Sequence, residues 1–417
     1  GLQRDYMGKI QSLNRLITDY PQSSYIDDAL YEQGRAFVML EDNANAIGRY
    51  QVLLDKFPQS HMARRAANEI GLLYYQDDKY PEAIAAYKRV IQHYPGSEEA
   101  QLAQRDLKSI YIDLNQVDEY AAFASAIPGG ANFDVNERDS LTYVAAERVY
   151  MRGEAAEARN SFVRYLQTFP EGAFCLNAHY YIGVMDYQEK NFESASAHFD
   201  KVLEYPSNKY SEEALVMSAD MAYQGKEYAR ALELYKQLKT KASTPDNLRL
   251  SATGMLRSSA LSGMGEEVIL VATEIVKDAK VAPELVSEAQ YYRAKALMEV
   301  NQVQNAMEDW EALAKDTRNV YGAEAKYRLA QHLYDTGRFN EVEEEVFEFV
   351  DASTPHTYWL ARSFILLSDT YAKLDRKLEA RQYLLSLEQN YQADDDIAEM
   401  IKSRLEKMKD EQQTVTE

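Results

Sequence analysis

Cysteine occurs once in this sequence of 417 residues, at Cys175, so no intrachain disulfide can form and packing alone must hold the fold. Glycine (17) and proline (10) are too scarce to punctuate the many turns of an all-β chain, which leaves an all-α fold. Positive charge is short as well: 46 Lys and Arg against 67 Asp and Glu give a formal net charge of −21. Nucleic acid and anionic membrane surfaces need neutralising cations, so neither is expected as a general partner. No uncharged apolar run approaches ~18 residues, so no segment is expected to insert into a membrane, and no signal-peptide core precedes the first repeat. Hydrophobic residues nevertheless make up 46%, which supports extensive burial and argues against disorder.

Recognisable chemistry is equally sparse. His61, His93, His179, His198, His332 and His356 include no i, i+3 or i, i+4 pair, so each reads as a surface or packing residue rather than a metal ligand. Asp394 to Asp396 lack the glycine and distal glutamate of a calcium loop. There is no Walker loop, dinucleotide turn, nucleophile elbow or HExxH, and Cys175 reads as a buried, inert thiol. Helix-pair glycosidases carry two carboxylates on long loops, which the short turns here do not provide. The reading is therefore no catalytic residue, no metal and no cofactor.

The prolines set a period. Pro21, Pro58, Pro95, Pro128, Pro170, Pro206, Pro245 and Pro283 lie 37, 37, 33, 42, 36, 39 and 38 residues apart, and Pro355 follows after 72. Such self-similarity marks a solenoid whose units bury their apolar faces against neighbours. The junctions recur too, as Tyr20-Pro21-Gln22-Ser23, Phe57-Pro58-Gln59-Ser60, Tyr94-Pro95-Gly96-Ser97 and Phe169-Pro170-Glu171-Gly172. Around Gly71 the spacing Ala67, Ile70, Gly71, Tyr74, then Ala83, Tyr87 and Val90, predicts two helices separated by a short turn, with Pro81 opening the second.

This arrangement resembles the tetratricopeptide repeat, with small residues at its eighth and twentieth positions, an aromatic at its twenty-fourth and Pro at its thirty-second. The preceding unit agrees through Gly34, Ala46, Tyr50 and Pro58, and the fourth through Ala146, Ala158, Phe162 and Pro170. Later units agree through Gly183, Ala195 and Phe199, through Ala219, Ala231 and Tyr235, and through Ala294, Ala306 and Trp310. Units near Ala272, Val342 and Ala380 are looser, and the third lacks a large residue in its second helix. The resemblance implies an all-α, right-handed superhelix of about ten helix pairs plus a C-terminal capping helix.

The expected organisation is an N-terminal sub-array over 1–127, an irregular loop over 128–138, a C-terminal sub-array over 139–393, a capping helix over 394–411 and a fraying tail over 412–417. The first segment reads as a second helix without a first, with Leu13, Leu16 and Ile17 apolar, as in a piece of a longer array whose Gly1 is a cloning remnant. Further repeats and an export signal are then expected upstream. The loop at Pro128-Gly129-Gly130 either absorbs a register slip or serves as a hinge or partner contact. In Glu341 to Glu348, Val342 and Val346, with Phe349 beyond, are spaced to face inward, leaving the glutamates either solvated or forming an acidic docking patch.

Tyrosine is the informative excess, with 32 Tyr against 13 Phe and 2 Trp. In tetratricopeptide arrays the first helices line a concave groove, and the fifth and twelfth positions point into it. By that register Tyr143 and Tyr150, Tyr180 and Tyr187, and Tyr327 and Tyr334 form pairs two turns apart. Tyr31, Tyr75, Tyr223 and Tyr291 occupy the same positions singly. The stripe either contacts a ligand or fills space between first helices. The resemblance implies a non-catalytic scaffold for a peptide or protein segment; a glycan-binding array with tyrosines stacked on sugars is the alternative, and an enzyme comes third. Tyr31, Arg35 and Asn68 stand where the carboxylate clamp of chaperone adaptors has Lys, Asn and Arg, so tail capture of that type is not expected. The aromatic-proline junctions resemble envelope-associated bacterial repeat lipoproteins and periplasmic coordinators, which implies the periplasm or cell envelope, with the cytoplasm as alternative. Oligomeric state stays open.

Overall fold

A computed structural model describes residues 5–127 and 134–414, with side chains described to residue 409. α1 (Tyr6–Asp19) precedes the helix pairs. The first five pairs are α2 (Ile26–Val38) with α3 (Asn43–Lys56), α4 (His61–Gln76) with α5 (Tyr80–His93), α6 (Glu98–Asp113) with α7 (Val117–Ala126), α8 (Val135–Met151) with α9 (Ala155–Thr168), and α10 (Cys175–Gln188) with α11 (Phe192–Glu204). Five more follow: α12 (Ser211–Gln224) with α13 (Tyr228–Lys241), α14 (Pro245–Leu261) with α15 (Gly265–Lys277), α16 (Pro283–Glu299) with α17 (Val303–Leu313), α18 (Val320–Asp335) with α19 (Phe339–Asp351), and α20 (Thr357–Lys373) with α21 (Lys377–Asn390). α22 (Ile397–Thr414) closes the series. The all-α expectation of about ten pairs and a final helix holds, and no strand occurs among the described residues.

The junction motif explains how one pair hands over to the next. Proline stops the outgoing helix, and the serine two residues on caps the incoming one: Ser60 accepts from the Met62 N–H and Ser97 from the Ala100 N–H. Within each pair the turn is closed differently. Glu41, Asp78, Asn115, Gly153, Lys190, Lys226, Gly263, Asn301, Gly337 and Asp375, one per pair, have positive φ. In the second pair the Lys79 N–H then reaches back to the Tyr74 carbonyl (2.9 Å), and in the fifth the Asn191 N–H reaches Asp186 (2.8 Å), satisfying carbonyls at the helix end. Only three of these ten residues are glycine, so the device is invisible to a search for Gly-rich turns.

Small residues set the closeness of each pair. A Cβ added to Gly71 would come within 2.7 Å of the Tyr87 ring, and one on Gly183 within 2.8 Å of Phe199. Both rings are fully buried, as are Tyr50, Phe162 and Trp310 at the same register. The third pair corrects one expectation: Tyr120 on α7 is 3% exposed and packs its ring 6.0 Å from Tyr111, so its second helix does hold a large residue. Ala272, Val342 and Ala380 are fully buried in the looser units.

The chain divides into two compact units, residues 1–205 and 206–417. The irregular loop expected between the two sub-arrays falls partly on residues 128–133, outside the described set. On either side of it α6 and α8 pack together, joined by Lys108 to Glu137 and Arg148 to Asp113. On α1, Leu13, Leu16 and Ile17 are half-buried, Leu16 and Ile17 against the core formed with α2 to α4. At α22 the Asp395 carboxylate accepts from the Ile397 N–H (3.0 Å), while Ile397 and Ile401 are buried against Ala361, Ile365 and Leu384. Along α19, Val342, Val346 and Phe349 face inward as expected; Glu343 pairs with Arg376, and Glu345 and Glu348 with Lys326.

Candidate interaction surface

The ten tyrosines separate into two sets by register. In three of the fifth-position set the ring packs on an aromatic about one repeat later. Tyr143 lies on Phe174 (centroids 4.4 Å, interplanar 7°), Tyr291 on Tyr321 (4.5 Å) and Tyr327 beside Trp359 (5.5 Å). The hydroxyls bond into the next first helix: Asn177 donates to Tyr143 (3.1 Å), Tyr291 donates to Glu324 (3.1 Å), and Arg362 donates to Tyr327 (3.1 Å). Burial pushes Tyr143 and Tyr291 well above the usual phenol range, and Glu147 and Glu324 add to it. Tyr31 packs on Tyr50 (5.6 Å) and Tyr180 on Tyr181 (5.6 Å), and both are buried. Tyr143, at 3%, and Tyr327, at 6%, are likewise covered; with Tyr291 these two join one repeat to the next, whereas Tyr31 meets Tyr50 within its own pair.

The twelfth-position set behaves differently. Tyr75, Tyr150, Tyr187, Tyr223 and Tyr334 are half-buried at the ends of their first helices. Four of them lean on an aromatic five residues later across the hairpin turn: Tyr75 on Tyr80 (5.9 Å), Tyr187 on Phe192 (5.9 Å), Tyr223 on Tyr228 (5.6 Å) and Tyr334 on Phe339 (5.5 Å). The fourth pair has Ala155 at that place, and Tyr150 turns instead to Tyr181 (4.7 Å). Each ring is braced on one side and partly open on the other. The i, i+5 aromatic spacing is legible in the sequence; the partners one repeat away, Phe174, Tyr321 and Trp359, lie 31, 30 and 32 residues beyond Tyr143, Tyr291 and Tyr327.

Spacing along the chain also conceals one histidine pair. His179 on α10 and His198 on α11 bring their Nδ1 atoms to 2.8 Å, which requires one donor and one neutral acceptor. Burial pushes His179 down to about 4, with His198 and Lys201 adding to the shift. Burial lowers His198 too, against the pull of Asp186, whose carboxylate is held by Arg159 and Ser194. Unfolding lets His179 return to its ordinary value of 6.5, so between about 6.5 and about 4 the unfolded chain binds protons that the folded chain refuses. The stabilising contribution is complete above that window and disappears as pH falls through it. We expect unfolding free energy from urea titrations to drop by on the order of 2 kcal/mol across it, and His179→Phe with His198→Leu to flatten the slope. An unchanged slope in the double variant would count against the pair.

Cys175 is buried and its thiol is pushed up by that burial, in line with an inert role. Among the described residues no group of three or more His, Cys, Asp or Glu is placed to hold a metal, and no helix is long and apolar enough to cross a membrane.

Repeated helix pairs, each seating an aromatic of the second helix against a small residue of the first, define a helix-pair repeat protein. Residues 31–98 and 187–247 match the family model "Tetratricopeptide repeat". The mouse (Mus musculus) alpha-soluble NSF attachment protein is 24% identical over 179 residues, which is 41% of this chain and 61% of that protein. The human counterpart is 23% identical over the same length. The chain thus spans about three-fifths of the length of the curated relatives it matches. Solved structures similar to it include a tetratricopeptide repeat protein from Parabacteroides merdae (16% identity, 69% of this chain and 91% of that one, TM-score 0.21). Another is Naa15/Naa10 bound to HypK-THB (14% identity, 94% of this chain and 67% of that one, TM-score 0.32).

Proposed function

We propose that this chain is a non-catalytic scaffold that holds a protein or peptide segment against the first-helix ends of successive repeats. Binding of protein partners is the property of the tetratricopeptide family, and attachment to another protein is the role in the name of the NSF attachment relatives. The observation that carries the reading here is the recurrence of half-exposed, braced tyrosines: Tyr75, Tyr150, Tyr187, Tyr223 and Tyr334. A braced phenol gives large contact area at low entropy cost, the profile of an interface anchor. The periplasmic or envelope location drawn from the junction motif belongs to the same proposal, and fractionation of source cells tests it.

The test is a peptide-library selection on the full chain, followed by titration of one selected peptide. Tyr187→Ala and Tyr334→Ala should each weaken binding by ~1–2 kcal/mol with only a small loss of melting temperature, and Phe should largely substitute. Tyr143→Ala should instead lower the melting temperature, because its ring and hydroxyl join two repeats. If both twelfth-position alanine variants bind like the parent, the scaffold uses another face.

A further inference from the structure

Positive charge, scarce across the chain, gathers in one place. A cavity of about 240 Å³ between α18, α20, α21 and α22 is lined by Tyr334, Asp369, Ala372, Lys373, Lys377, Arg381, Arg404, Lys407 and Met408. Five cations thus face one carboxylate, in a protein of net charge −21. That carboxylate is already engaged: Arg404 grips Asp369 through Nε (2.8 and 3.0 Å) and Nη2 (2.7 Å). Lys373, Arg381 and Lys407 are exposed and form no ion pair among the described residues.

Helix stability does not explain the placement. Lys377 is the first residue of α21 and Arg381 follows one turn later, at the helix end whose partial charge is already positive. Lys373 closes α20 on the near side of the same turn, and Lys407 approaches from α22. Like charges converging from three helices repel, and an anion between them relieves the repulsion.

We infer that this cavity anchors acidic side chains of a bound peptide segment. The inference rests on the scaffold reading and deepens it by naming the chemistry of the segment. At 240 Å³ the cavity falls below the ~300–1,000 Å³ that encloses a whole small-molecule ligand, but it accommodates one or two carboxylate side chains of a longer chain. Its walls include the half-buried Tyr334, the last member of the braced tyrosine set, and Met408. A segment that lays an apolar residue on Tyr334 therefore brings neighbouring acidic groups to Lys373, Arg381 and Lys407.

The experiment titrates the full chain with a neutral-dye-labelled peptide of alternating Glu and Leu, and with its Gln-for-Glu counterpart, at low and high salt. The Glu peptide should bind at least tenfold more tightly at low salt. Lys373→Glu with Arg381→Glu and Lys407→Glu should remove that preference. The triple glutamine variant should weaken it severalfold, and circular dichroism should show both variants folded. Lys226→Glu with Lys241→Glu and Lys277→Glu changes net charge equally outside the cavity and should leave binding within twofold. Equal losses in the two triple glutamate variants, no preference for Glu over Gln, or binding of inorganic phosphate without binding of the peptide would each overturn the inference. Loss of the Glu preference while Tyr187→Ala still weakens a selected peptide would overturn the anchor alone, whereas an intact preference with inert tyrosine variants would overturn the groove reading.

Discussion

Replacing Arg293 with methionine should destabilise the second compact unit by about 3–5 kcal/mol, the cost of leaving a buried carboxylate without its partner. Arg293 on α16 holds both oxygens of Asp309 on α17, with Nε at 2.8 Å and Nη2 at 2.6 Å, and its Nη1 donates to Thr273 on α15 at 3.1 Å. The Asp309 side chain is 4% exposed and that of Arg293 17%, so water can do little to replace the guanidinium at the Asp309 end. The guanidinium therefore joins the two helices of one pair and ties both to the pair before. Adding Asp309→Leu should restore most of the loss, because the remaining apolar pair leaves no charge to desolvate. Urea denaturation of the two variants measures both effects, and a single variant within 1 kcal/mol of the parent would show that Asp309 finds another partner.

Trp310→Ala should cost about 3–5 kcal/mol, the range for removing a large buried aromatic. Trp310 is 1% exposed and packs among Ala294, Leu297, Leu313 and Ala325, with the Tyr291 ring meeting it edge-on at 5.8 Å. Its loss opens a void against Ala294, which lacks the atoms to fill it. The Tyr291 ring, stacked on Tyr321 in the next repeat, loses its backing at the same time. Trp310→Phe keeps some of the contact and should cost markedly less. Calorimetric melting distinguishes the three proteins, and equal melting of the alanine variant and the parent would contradict the packing described.

What the sequence made legible was whatever repeats along it. The pairing of Gly71 with Tyr87, Gly183 with Phe199 and Ala294 with Trp310 follows from a fixed offset of sixteen residues between a small residue and a ring, and the structure places each pair in contact. The tyrosine stripe was legible as a pattern, but not the division of labour within it. Nothing in the type or spacing of Tyr143 and Tyr150 says that one is 3% exposed while the other stays half-open. That outcome depends on Phe174 and Asn177, which lie one repeat away. The His179 and His198 pair escaped for a related reason: nineteen residues and a hairpin turn separate two rings that meet only when α10 and α11 fold together. The basic cavity was hidden by the opposite problem, since its lysines and arginines are drawn from three helices and look like ordinary surface residues in each.

The ten left-handed residues, one at every hairpin turn, also bear on how the chain folds. Each closes a hairpin with hydrogen bonds spanning at most five residues, so a helix pair can form before any distant segment of the chain arrives. Growth then proceeds by docking one finished hairpin on the next, and a start made in one region needs no news from another. Damage should spread in the same piecemeal fashion: a lesion in the eighth pair melts outward through its immediate neighbours, leaving hairpins farther along the chain still closed.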